Sequence, residues 1–393
     1  MDIILILLFM TSAYLIFDYL GPREIRLRST SAFGMSCLMA RDLIIQEYDD
    51  AGNLWATRGM TLYRLPKNGR NFIRTVHVNV GFSFFWLFNF SLFRRLTNKP
   101  ECMEMTISSA GDICIFAAGR MLFGNIRSKK FRRTMKLSHF GPGKGRGILS
   151  NGLLRINEEI LFLGEYFRNV ERSRVKLFIS RNSGRSWDIV HEFQSGSIRH
   201  IHALFRDPYQ DMIWICTGDE DHESGIGWSS DEFRTINFIG QGSQAWRTCH
   251  LAFSEDSVYW GTDTGSADHS GIYRWSRKQQ QIDRLAKVDG AVLSGTRLAQ
   301  GTIVMGTDRE GFLNEKDDKT RLLLIQAQDK IKHIEGGTWN HKKHGLRFGF
   351  AKLRFQRYQG NDTLAISILN QKEIPDASLI LVSEDEINRK ACG

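Results

Sequence analysis

Short runs of alternating apolar and polar residues, or of apolar residues alone, recur along this chain from about Leu43 to Ser383. Most end at Gly, Asn, Asp or Ser, so each reads as a strand closed by a turn. They gather into groups of about 45–50 residues, the period of propeller blades rather than of helical solenoids. The groups are Leu43–Val78, Met103–Leu137, Gly147–Phe193, Arg199–Ile239, Arg247–Val288, Ala291–Gln328 and Arg347–Ser383. The expected fold is therefore all-β, a seven-bladed propeller of four-stranded antiparallel blades, with six blades as the alternative count. The seventh group offers three strands. Glu24–Ser29 is expected to supply the fourth and close the ring, which would remove its free edges.

The third group contains a turn with a mechanism. In Ser180-Arg181-Asn182-Ser183-Gly184-Arg185-Ser186-Trp187, Asn182 can fold its amide over its own backbone, Gly184 supplies a positive φ, and Trp187 is an apolar plug. This octapeptide resembles the Asp-box (BNR) motif of sialidase-like β-propellers, Ser-x-Asp/Asn-x-Gly-x-x-Trp. Worn copies stand at Leu65–Phe72, with Gly69 and Phe72, and at Ser229–Ile236, with Phe233 in place of the glycine. The box is a structural device in that family, so the resemblance implies a fold more firmly than an activity. Tyr63-Arg64-Leu65-Pro66 looks like the sialidase arginine motif, but it falls in a third strand, and the role is not carried to Arg64.

Two apolar stretches interrupt the strand pattern. Ile3–Leu20 carries only Asp18 as a charge and is about long enough to cross a bilayer. It lacks the basic start and cleavage site of a secretory signal, so residues 1–21 are expected to be a membrane anchor helix, with residues 22–393 forming one propeller domain. Arg23, Arg26 and Arg28 favour a cytoplasmic bulk, whereas the family resemblance favours the other side. The second stretch, within an insertion at about residues 80–95, is Val80–Phe93. It is too short to span and is expected as a buried helix between two blades or as an interfacial helix.

Composition fits the strand reading: 36 Gly against 6 Pro, with 11% aromatic residues, suits many short strands and glycine turns. The net charge of +10 is scattered, without an aromatic-basic platform or a recognition helix, so no nucleic-acid partner is expected. A basic surface attractive to an acidic glycan or an anionic lipid explains the same charge. The 6 cysteines show no CxxC pair and read as buried free thiols.

In a four-stranded meander the inner strand starts on the face where the second strand ends. Arg146, Arg199 and Arg247 stand at or before the inner strands of groups three to five, while Glu165, Asp219, Asp263 and Asp308 end the second strands of groups three to six. Three guanidiniums and four carboxylates are thus expected to line one mouth. Arginine forks suit a carboxylate or sulfate, and the resemblance implies a similar use, because sialidase-like enzymes hold their substrate with an arginine triad. Arg146, Arg199, Arg247, Asp263 and Asp308 are the substrate-binding candidates. Glu165, Tyr166, Asp219, His200 and His202 are the catalytic ones, as acid-base carboxylates or as groups able to remove a proton. His200 and His202 share a strand face, but a metal needs a third ligand, and neither a metal nor another cofactor is expected. The favoured reading is a glycoside hydrolase acting on an acidic glycan. A polysaccharide lyase or a non-enzymatic glycan-binding scaffold are the alternatives.

Overall fold

The computed structural model describes residues 18–79, 84–97, 103–141, 143–341, 349–357 and 360–392. Seven sheets follow the seven groups. Blade 1 contains Ile44–Tyr48, Leu54–Arg58, Thr61–Leu65 and Asn71–His77; blade 2 runs from Met103–Ile107 to Phe131–Lys136, and blade 3 from Leu153–Arg155 to Asp188–Phe193. Blades 4, 5 and 6 begin with Ile201–Arg206, Ala252–Phe253 and Val292–Arg297. Blade 7 has Lys352–Phe355, Thr363–Leu369 and Ser378–Ser383.

Burial falls off from the inside outwards. The second strand of blade 3, Leu161–Gly164, is wholly buried because its two faces pack on neighbouring blades, whereas the outermost strand of blade 5, Gln281–Lys287, is mostly exposed. In blades 1 to 6 the pairing of the third with the fourth strand shifts register once, as between Leu177 and Phe178. Such bulges bend an outer edge and keep it from templating another chain.

The N-terminal part does close the ring, but with a different strand from the one expected. Met35–Ala40 pairs with Ser378–Ser383, Leu38 opposite Leu381, and Arg28–Ala32 adds a fifth strand outside it. Glu24–Arg26 instead lies on the outer edge of blade 1, opposite Asn71–Ile73. A tight turn at Phe33 and Gly34, with φ of 55° and 65°, makes the second pass possible.

The expected anchor, Ile3–Leu20, lies largely outside the described residues. Among those described, no helix is long and apolar enough to cross a membrane. Asp18 packs on the propeller: its carboxylate meets Arg58 at 2.8 Å and accepts from the Ser91 amide at 2.9 Å. The insertion forms a 3-10 turn, Phe84–Asn89, and a short helix, Ser91–Thr97. Phe88, Asn89 and Arg94 are buried, and Arg94 reaches Asp42 at 2.8 Å, as a connector between blades requires.

The Ser180–Trp187 turn is built as its residues suggest. Ser180 Oγ accepts from Gly184 N at 2.8 Å and Asn182 Oδ1 from Ser186 N at 2.8 Å. Gly184 has φ +95°, and a Cβ there would come within 2.7 Å of Cys114 Sγ. Ser229–Ile236 makes the same turn without the glycine. Ser229 Oγ accepts from Phe233 N at 2.8 Å, Asp231 Oδ1 accepts from Thr235 N at 3.0 Å, and Phe233 takes φ 64°. Burial of the Phe233 ring edge-on to Phe162 offsets the cost of that backbone. Trp187 is only half-buried, with Nε1 3.3 Å from Thr134 Oγ1. Trp187→Ala is therefore expected to cost about 2 kcal/mol, below the range for a buried ring. Chemical denaturation checks it, and ligand affinity should stay unchanged, because the turn lies on the face opposite the arginines.

Charged groups fill part of the central tunnel. Arg354 makes two hydrogen bonds to the Glu104 carboxylate, at 2.9 and 2.7 Å, and Arg357 a third at 2.6 Å. Glu47 accepts from the Ile107 amide at 2.6 Å, and burial pushes its pKa up to about 7 against the pull of Arg357. A raised folded pKa means a stabilising contribution that is complete below about pH 4 and lost as pH rises through about 7. Glu47→Gln keeps the acceptor and is expected to flatten the stability profile over that window, where the parent loses up to about 3 kcal/mol. Denaturant midpoints across pH for both proteins measure it.

Candidate functional site

The face on which the second strands end carries the charged residues of blades 3 to 5. Arg199 and Arg247 stand just before the inner strands of blades 4 and 5. Arg247 caps a 3-10 turn, Gln244–Trp246, whose start is held by Ser243 Oγ accepting from Ala245 N at 3.2 Å. Arg146 is set further out, in a two-stranded hairpin with Phe140–Gly141, and Gly147 bridges to Tyr166. Asp263 N bonds to Arg247 O at 2.9 Å, which joins acid and base of one blade through the backbone.

Asp219 is the hub. Arg199 Nη1 lies 2.8 Å from its Oδ2, and Arg247 Nη2, His200 Nε2 and His202 Nε2 lie 3.3, 3.3 and 3.2 Å from its Oδ1. Arg247 Nη2 also reaches Asp263 Oδ2 at 3.5 Å, and Cys249 Sγ lies 3.5 Å from the same oxygen.

A bulge brings the two histidines together. Ile201 pairs with Thr217 and Ala203 with Cys216, which leaves His202 without an opposite residue on the neighbouring strand. The rings are 5.0 Å apart between centroids and buried, at 2% and 1% exposure. Burial lowers the His200 pKa despite the Asp219 carboxylate. Tyr166 covers His200 with ring centroids 3.9 Å apart. Its pKa is pushed well up by burial and then by Asp219, Cys249 and Asp263, with Arg146 pulling the other way. Tyr166 is thus within electrostatic reach of Asp219, Asp263 and Arg146 at this mouth.

Two of the expected carboxylates are directed elsewhere. Glu165 precedes Tyr166 and points to the other side of the strand, where Oε2 accepts from Lys176 N at 2.9 Å and Oε1 lies 3.8 Å from His139 Nδ1. Burial raises its pKa. Asp308 is 1% exposed and accepts from the Leu353 amide at 3.0 Å, which ties blade 6 to blade 7.

In the solved structures the same ring recurs. A crystal structure of an oligogalacturonate lyase from Vibrio parahaemolyticus matches with a TM-score of 0.58 at 10% identity, over 91% of this chain and 97% of that one. A chain in the crystal structure of a mitotic checkpoint complex matches with a TM-score of 0.53, also at 10% identity, over 91% and 90%. The chain is a seven-bladed β-propeller. At that identity the likeness extends to the fold alone, and proteins with such different names share it. Neither a protein-family model nor a curated protein matches the sequence. The sialidase resemblance accordingly stays with the turns.

An open depression of about 410 Å³ lies over this face, lined by Asp219, Glu220, Asp221, His222, Gln244, Arg247, Thr264 and Ser266. Cys249, Gln244, Thr264 and Ser266 are not among the expected residues. For Cys249 a signal was present: it stands two residues after Arg247, as Ile201 stands two after Arg199, at the start of an inner strand.

Proposed function

We propose that this propeller binds an acidic glycan at the mouth formed by blades 3 to 5 and cleaves it by elimination. The observation that carries the reading is the position of Tyr166, its ring tilted against His200 beside the Arg199–Asp219–Arg247 cluster and the Arg146 charge. Arg146, Arg199 and Arg247 would meet the uronate carboxylate, and Arg199 and Arg247 remain about a quarter exposed at the side chain. Tyr166, ionised as the Arg146 guanidinium favours, would then take the proton from the carbon beside that carboxylate and pass it to the glycosidic oxygen as that oxygen leaves the next carbon, so that a carbon–carbon double bond remains.

The hydrolase reading needs two carboxylates flanking the scissile bond. Glu165 faces Lys176 and His139, and Asp219 is engaged by four side chains, so that pair is less favoured by the geometry. The oligogalacturonate lyase among the similar structures is in keeping with a propeller on which lyase chemistry can be built. Product analysis on matched uronate-containing and sialylated glycans tests the reading. An ultraviolet-absorbing unsaturated product, lost in Tyr166→Phe with binding retained, is the expected result. Cleavage that leaves a saturated non-reducing end, with no ultraviolet absorbance, would point to hydrolysis, and binding without turnover to a non-enzymatic module.

A further inference from the structure

His200 and His202 each turn one ring nitrogen to a backbone carbonyl. His200 Nδ1 lies 3.0 Å from Phe167 O, and His202 Nδ1 lies 3.1 Å from Thr248 O. A carbonyl oxygen can only accept, so both Nδ1 atoms carry protons, and in the neutral rings both Nε2 atoms present lone pairs. Those lone pairs converge. The two Nε2 atoms are 3.1 Å apart, and they lie 3.3 and 3.2 Å from Asp219 Oδ1. Three acceptors therefore face one another at the bottom of the mouth, two of them on buried rings. Arg247 Nη2, 3.3 Å from the same carboxylate oxygen, gives it one donor and gives the ring nitrogens none. A single added proton would join two of the three acceptors, whereas a cation at their centre serves all of them.

We propose that His200, His202 and Asp219 form a site for a divalent transition metal, with Zn²⁺ the best-matched ion. Tetrahedral ligands at zinc's bond lengths of about 2.0–2.1 Å stand about 3.3 Å apart, close to the spacing of these three atoms. Two imidazole nitrogens and one carboxylate oxygen are a donor set for zinc-like ions rather than for calcium or magnesium. The surrounding contacts are of the kind that orient metal ligands: carbonyls fix both ring tautomers, and Arg199 holds the outer carboxylate oxygen. Three protein ligands leave a fourth position for water or a ligand. His202, Cys249 and Asp263 form an overlapping group with ligand atoms within 4.8 Å of one another, and the proposal places the ion on the first group.

The test uses the full chain, stripped with a chelator and titrated with Zn²⁺ against a chromogenic competitor. About one equivalent should bind, and His202→Gln and Asp219→Asn should each weaken it by at least about 100-fold while circular dichroism shows the fold retained. X-ray absorption on the zinc-loaded parent needs no variant and should show only nitrogen and oxygen neighbours at about 2.0–2.1 Å, without sulfur at about 2.3 Å. Lack of stoichiometric zinc in the folded parent would overturn the proposal. So would binding that survives in both variants, or a sulfur neighbour, which would move the ion to Cys249. The inference does not depend on the glycan reading. Metal-free protein that still cleaves a uronate glycan would leave that reading standing, and zinc binding without any glycan activity would leave this one.

Discussion

Glu104→Ala is expected to unfold at a much lower denaturant concentration than the parent, with a loss of about 3–5 kcal/mol. Glu104 accepts three charge-assisted hydrogen bonds from Arg354 and Arg357 inside the tunnel, where the three side chains are 8–10% exposed. Removing the carboxylate leaves two guanidiniums in a poorly solvated place. The cause lies in the excess positive charge and not in the value of the pairs themselves, since a well-packed apolar replacement of a buried ion cluster is often neutral. A triple variant, Glu104→Met with Arg354→Leu and Arg357→Met, should therefore recover most of the loss. Urea titrations of the parent, the single and the triple variant decide between this account and simple loss of contacts, which predicts that the triple variant is the least stable.

Arg199→Lys and Arg247→Lys should each weaken an acidic glycan by about 2–5 kcal/mol, roughly thirty-fold or more, and leave a neutral analogue nearly unaffected. Lysine keeps the charge but loses the planar fork. Of the two, Arg247 should have the larger effect, because it touches Asp219, Asp263, the Asp219 carbonyl and Gln244, and so sets the shape of the depression as well as its charge. Calorimetry with matched acidic and neutral ligands measures both effects. Equal losses for the two ligands would show that the arginines are ties between strands.

The blades were legible because each alternates or concentrates apolar residues in the way a strand packed between neighbours demands. The closing strand was not. Glu24–Ser29 has the better alternation, yet its residues end on two different outer edges, while Met35–Ala40 makes the closing pairs after a turn that few patterns would flag. At the mouth, repeat register found Arg199, Arg247, Asp219 and Asp263, since a position repeated in successive blades is repeated in space. Register could not find direction. Glu165 and Tyr166 are adjacent on an extended chain, so only one of them can face His200, and the bridge from Gly147 to Tyr166 decides which. The bulge at His202 and the capture of Asp308 by the Leu353 amide depend on neighbouring strands, which local sequence does not encode.

Closing the ring with Met35–Ala40 also sets a schedule for synthesis. Leu38 pairs with Leu381, so the third strand of the last blade leaves the ribosome only after more than three hundred further residues. At roughly 5–20 residues per second the N-terminal hairpin waits for some tens of seconds without its partner strand. Glu24–Arg26 lies on blade 1, whose strands emerge early, and so moors the waiting hairpin to the part of the ring that folds first. The long-range pairing makes completion of the circle a late event, and a chain that stalls before Ser378 carries an unpaired edge at each end.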